Sequence, residues 1–155
     1  MRADKMTNKF QIALSEAQSL AVGRDHPFIE PIHLMVALLD QEGSTVRQVL
    51  STTGVDASQL RSQLGRNIER LPKVEGAAGE VHPSNALGKL LNITDKLAQE
   101  RKDAYIASEL FVLAALQDPG ELGRLLKELG AGEGHLQDAI DSLRGGEAVG
   151  DLNAE

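Results

Sequence analysis

Residues 28–39 read FIEPIHLMVALL, and residues 105–116 read YIASELFVLAAL. At a spacing of 77 positions, Ile29 falls on Ile106, Ala37 on Ala114 and Leu39 on Leu116. Each stretch opens on an aromatic-Ile pair and continues almost without charge. A helix that is apolar on nearly every side belongs inside a core. The two stretches therefore predict two central helices, each the middle of a half that packs around it.

The match spreads outward from both stretches. At the same spacing Phe10 meets Leu87, Ala13-Leu14 meet Leu90-Leu91, Leu20-Ala21 meet Leu97-Ala98, and Arg24 meets Arg101. Beyond the central helices the spacing drops to 76. Val46 then meets Leu122, Val49-Leu50 meet Leu125-Leu126, Gly54 meets Gly130, Leu60 meets Leu136 and Leu64 meets Ile140. Self-similarity at one period with one slip marks a tandem duplication. Two copies are too few for an open solenoid. The fold class expected is all-α, a tandem repeat of two four-helix units packed as one pseudo-twofold domain.

Start and stop signals divide the repeat into helices. Thr7, Ser44, Asp56, Ser84, Ser108 and Asp118 stand where N-caps are expected, and Gly54 and Gly130 where a left-handed C′ residue is expected. Gly23 is expected to end the first helix, Pro31 to open the second, Pro72 to stop the fourth and Asp118-Pro119 to cap and open the seventh. Repeat one covers 1–72, an inter-repeat linker 73–83, and repeat two 84–146. The remaining stretch 147–155, EAVGDLNAE, is small, acidic and without an apolar stripe. It is expected to begin a flexible tether.

Composition removes several function classes. The chain of 155 residues suits one domain with a real core. With aromatics at 3% and apolar residues at 41%, Leu, Ala, Val and Ile must build it. No cysteine is present, which excludes disulfides and thiolate metal sites. The charge of −7 lies wholly in residues 73–155, which carry eight basic and fifteen acidic residues. Nucleic acid needs a basic footprint and is not an expected partner. No apolar run reaches membrane-spanning length, so no membrane contact is expected and the cytoplasm is the expected location.

Catalytic signatures are missing as well. No Ser-His-Asp or paired-carboxylate constellation stands out, and no two histidines have the i, i+4 spacing of a helical metal site. Gly88-Lys89 lacks both the upstream glycine and the following Ser/Thr of a phosphate-binding loop. The chain is expected to be no enzyme and to need no cofactor.

The segments TNKFQIALSEAQSLA, FIEPIHLMVALL, LPKVEGAAGEVHPS, DKLAQERKDAYIASELFVLAAL and RGGE together resemble the Clp N-terminal repeat domain family, in its ClpB-type branch. ClpA- and ClpC-type members typically begin their central helices with a Thr-Glu-His-Leu-Leu-type segment, whereas this chain has Pro31-Ile32-His33 and Ser108-Glu109-Leu110. The resemblance implies a mobile, non-catalytic domain of a hexameric, stress-response disaggregase chaperone. It implies unfolded or aggregated proteins as substrate and a co-chaperone system of the DnaK type. ATP and Mg are implied only for ATPase modules outside this sequence. An adaptor-docking domain of a Clp-type unfoldase is the alternative. The family implies substrate-handling roles for Thr7, Asp103 and Glu109. Leu110 is expected to line an exposed apolar groove, since its counterpart in the other copy is the polar His33; Leu91 and Leu97 are further groove candidates.

Overall fold

The computed structural model describes residues 1–75 and 80–155. Among these residues eight α-helices carry the fold: α1 Asn8–Gly23, α2 Pro31–Asp40, α3 Thr45–Thr52, α4 Ala57–Arg70, α5 Asn85–Glu100, α6 Glu109–Ala115, α7 Glu121–Glu128 and α8 Glu133–Arg144. Two short strands, β1 Phe28–Ile29 and β2 His82–Pro83, pair in parallel. Part of the expected linker, residues 76–79, lies outside the described residues.

The helix ends follow local chemistry. Thr7, Ser44, Asp56 and Ser84 each accept the backbone N–H three residues on, at Phe10, Arg47, Gln59 and Leu87. After α3, the N–H of Gly54 reaches Ser51 O and that of Val55 reaches Leu50 O; after α7, Gly130 reaches Lys127 O and Ala131 reaches Leu126 O. Both are Schellman motifs with left-handed glycines, at φ 82° and 92°. Helix α1 ends at Gly23, as expected, but without a left-handed glycine. Gly23 is still helical, and the left-handed residue is Asp25, matched after α5 by Lys102. The same pair of closing bonds forms at each: His26 N–H to Ala21 O and Asp25 N–H to Val22 O, then Asp103 N–H to Ala98 O and Lys102 N–H to Gln99 O.

Two caps depart from the sequence reading. Ser108 precedes α6 but its hydroxyl bonds nothing among the described residues. Pro119 does not open α7, which starts after Gly120; Asp118 instead accepts the N–H of Gly123 inside the helix. A Cβ on Gly123 would lie 2.0 Å from Asp118 O, so the loop can close on α7 only over a glycine.

The central helices are buried along their length, Pro31–Leu39 in α2 and Glu109–Ala115 in α6. Helix α1 packs on α2 and α5 on α6; α3 meets α8, and α4 meets α7, across the halves. Phe10 and Phe111, both fully buried, meet with ring centroids 6.3 Å apart. The halves also exchange extended segments. Ser84 N–H donates to Ile29 O beside the β1–β2 pair, while Thr7 N–H donates to Ile106 O beside a Met6–Ile106 bridge. These crossings stand at positions related by the spacing of 77.

Residues 147–155 lie against the body in this structure. Val149 is buried, and its carbonyl accepts the N–H of Ala104 at 2.7 Å. Backbone bonding supplies what the stretch lacks in apolar side chains.

Candidate functional site

Asp103, Glu109 and Arg144 form a buried charge cluster at the start of α6. Asp103 itself closes the Schellman motif of α5 with its N–H on Ala98 O, which fixes its backbone, and Glu109 occupies the first turn of α6. Arg144 reaches both from the last turn of α8. Its Nη1 donates to the two Asp103 carboxylate oxygens at 3.1 and 2.9 Å, and its Nε donates to Glu109 Oε1 at 3.0 Å. The side chains are 8, 0 and 4% exposed for Arg144, Asp103 and Glu109. One cation thus serves two carboxylates away from water. Burial raises the proton affinity of Glu109 above that of an ordinary carboxyl; Arg144 opposes this and Glu155 adds to it.

Thr7 is also fully buried. Its hydroxyl accepts the N–H of Phe10 and donates to the carboxylate of Glu155. The same carboxylate accepts from the Thr45 hydroxyl and the Ser108 N–H, each at 3.1 Å. Thr7, Asp103 and Glu109, scattered in sequence, therefore stand around one locality, joined through Arg144 and the segment 147–155. A cleft of about 480 Å³ opens there, lined by Thr45, Glu109, Leu143, Arg144 and residues of that segment. Glu109 Oε2, Arg144 Nη2 and Ser108 Oγ have no hydrogen-bond partner among the described residues.

The three leucines differ in burial. Leu110 is 0% exposed, against the expectation of a surface position. The comparison with His33 misled because His33 is itself fully buried. His33 Nδ1 accepts the Glu30 N–H at 2.8 Å, so its proton sits on Nε2 and is donated to His26 Nδ1 at 2.9 Å. A polar residue in the sister copy marked a buried hydrogen bond, not a surface. Leu91 is buried, and Leu97 is half-buried against the core. The side chain that sequence reading missed is Arg144. Its signal was a basic residue closing α8, which the helix dipole alone explains, and nothing local tied it to residues 35 and 41 positions earlier.

Among the described residues no group of acidic and histidine side chains is arranged to hold a metal ion, and no helix is long and apolar enough to cross a membrane.

Residues 5–129 match the family described as the Clp repeat (R) N-terminal domain. The whole chain aligns with chaperone protein ClpB of Vibrio cholerae at 59% identity and of Pseudomonas putida at 48%. It spans 18% of the length of each. In fold it is similar to the Hsp104 N-terminal domain of Candida albicans, with TM-score 0.85 and 21% identity over 97% of this chain and 98% of that one. A complex of the ClpV N-domain with VipB peptide is similar at TM-score 0.75 and 26% identity, over 90% of this chain and 86% of that one. The chain belongs to the Clp repeat N-terminal domain family.

Proposed function

We propose that this chain is the non-catalytic, polypeptide-binding N-terminal domain of a ClpB-type disaggregase in the cytoplasm. The observation that carries the reading is the cleft at Glu109 and Arg144, where a buried acceptor and a buried donor have no partner among the described residues. A peptide backbone offers one N–H and one C=O per residue, the complement of that pair. Burying unpartnered polar groups is costly, so a ligand that satisfies both gains from the exchange. The ClpV N-domain, a similar fold solved with a peptide, supports the same mode of use.

Affinity is expected to be weak, because ordering a flexible chain offsets much of the contact energy. Six copies in a ring restore it through effective concentration. Unfolded or aggregated proteins are the proposed substrates, and transfer from a DnaK-type co-chaperone fits the same site. ATP and Mg belong to the ATPase modules of the longer protein. Docking of a specific adaptor is the second reading; the defined VipB peptide seated on the ClpV N-domain favours it.

A titration of amide shifts with reduced, carboxymethylated lactalbumin tests the proposal. Shifts are expected to concentrate at Thr45, Ser108, Glu109 and Arg144. Shifts confined to the opposite face, or none at millimolar ligand, overturn it. Tight binding to one folded protein with none to the unfolded probe selects the adaptor reading.

A further inference from the structure

The segment 147–155 has no helix or strand of its own, yet it is bonded to the body along its length. The N–H of Val149 donates to Asp103 Oδ1 at 3.0 Å, and its C=O accepts from the Ala104 N–H at 2.7 Å. Leu152 O accepts the N–H of Asn8 at 2.9 Å. Glu155 then places its carboxylate among the Thr7 hydroxyl, the Thr45 hydroxyl and the Ser108 N–H. Val149 is 7% exposed and is its one buried residue. The anchoring groups come from both repeats, at the starts of α1 and α3 and in the loop before α6.

These are the contacts of a seated peptide: paired backbone bonds at one residue, one apolar side chain enclosed, and one carboxylate held by two hydroxyls and an amide. We propose that the seat of residues 147–155, beside the cleft they help to line, takes an extended peptide with a small β-branched residue followed six positions later by a carboxylate, and that the segment occupies this seat in cis. The inference rests on the polypeptide-binding reading and adds a sequence preference and an internal competitor. Asp103 is the acceptor that aligns the backbone; Thr7 and Thr45 select the acid. The strap encloses one valine and lies mostly at the surface, so an incoming chain with the same pattern can displace it.

The test uses the full chain and its Val149→Asp/Glu155→Gln variant, with two probes. One is carboxymethylated lactalbumin; the other is a labelled synthetic peptide of sequence EAVGDLNAE. Asp at 149 sets a carboxylate against Asp103 and removes the apolar anchor, while Gln at 155 removes the charge. The variant is expected to bind both probes at least tenfold more tightly than the unaltered chain, with its helical circular dichroism retained. Glu155→Gln alone, at a half-buried position outside every helix, is expected to shift both affinities in the same direction by less, and it serves if the double variant fails to fold. Equal affinity of variant and unaltered chain for lactalbumin overturns the strap and leaves the polypeptide-binding reading standing. Tight peptide binding without lactalbumin binding keeps the strap site and overturns that reading. Binding of neither probe by either protein overturns both.

Discussion

Arg144 is the residue on which the candidate site turns, because two buried carboxylates depend on it. Removing it leaves both unpaired, and breaking a buried ion pair costs about 3–5 kcal/mol. Glu109→Ala leaves Arg144 still held by Asp103 and removes one charge-assisted bond, worth about 1.5–3 kcal/mol. Denaturant unfolding at neutral pH should therefore rank Arg144→Ala below Glu109→Ala, with both below the unaltered chain. The histidine pair makes a second prediction. Burial lowers the His33 pKa from 6.5 to about 4, with His26 adding to the effect. The unfolded chain then takes up the proton that the folded one refuses. Stability is full above pH 6.5 and falls as the pH drops toward 4, by about 3 kcal/mol at roughly 1.4 kcal/mol per pKa unit. Burial pushes His26 the same way, whereas Glu109, with its raised proton affinity, gains stability on acidification. Unfolding free energies at pH 7 and 4.5 should differ in this direction, and His33→Leu should flatten the slope.

At the scale of elements, α6 and α7 show how closely the second repeat is packed. Helix α6 is buried all round, so Leu110→Ser is expected to destabilise as severely as Leu113→Ser, by about 2–5 kcal/mol each from lost packing. Thermal midpoints of the two variants check it; a near-native Leu110→Ser protein contradicts the packing described for α6. In α7, Gly123 marks a close approach that its counterpart Arg47 in α3 does not share. Gly123→Ala forces a methyl group into Asp118 O, and overpacking of that kind costs about 1–3 kcal/mol. A Gly to Ala change inside a helix normally stabilises it, so the sign of the measured change decides whether the loop contact outweighs helix propensity.

For the molecule as a whole, the exchanged segments make each half depend on the other. Met6-Thr7 bonds to the loop before α6, and His82–Ser84 bonds to the loop before α2. Arg2 adds a pair with Asp95 of α5, through Nε and Nη2 at 2.9 and 2.7 Å. Residues of both halves share one hydrophobic core cluster. Unfolding should be one cooperative transition, so the emission of Tyr105, the single tyrosine, and far-ultraviolet circular dichroism should give the same midpoint. Two separated midpoints contradict the exchange. The chain should also sediment as a monomer, because its exposed large apolar residues, among them Ile12 and Phe28, do not include the faces of the central helices.

Periodicity and capping residues were enough to place the helices, since an apolar stripe, a Thr, Ser or Asp cap and a left-handed Gly act within a few residues of chain. The repeat was legible for the same reason: each copy carries its own local signals. Exposure inside an apolar helix was not legible, because Leu110 and Leu113 look alike until the neighbours of α6 are in place. Nor was the partner of Asp103 and Glu109, since Arg144 reaches them only after α8 has folded back across the start of α6. The course of residues 147–155 was hidden most completely. What holds them is backbone bonding to Asn8 and Ala104, which every residue but proline offers alike, together with the Asp103 and Glu155 carboxylates, whose partners are far away in sequence; only the tertiary structure decides where they meet.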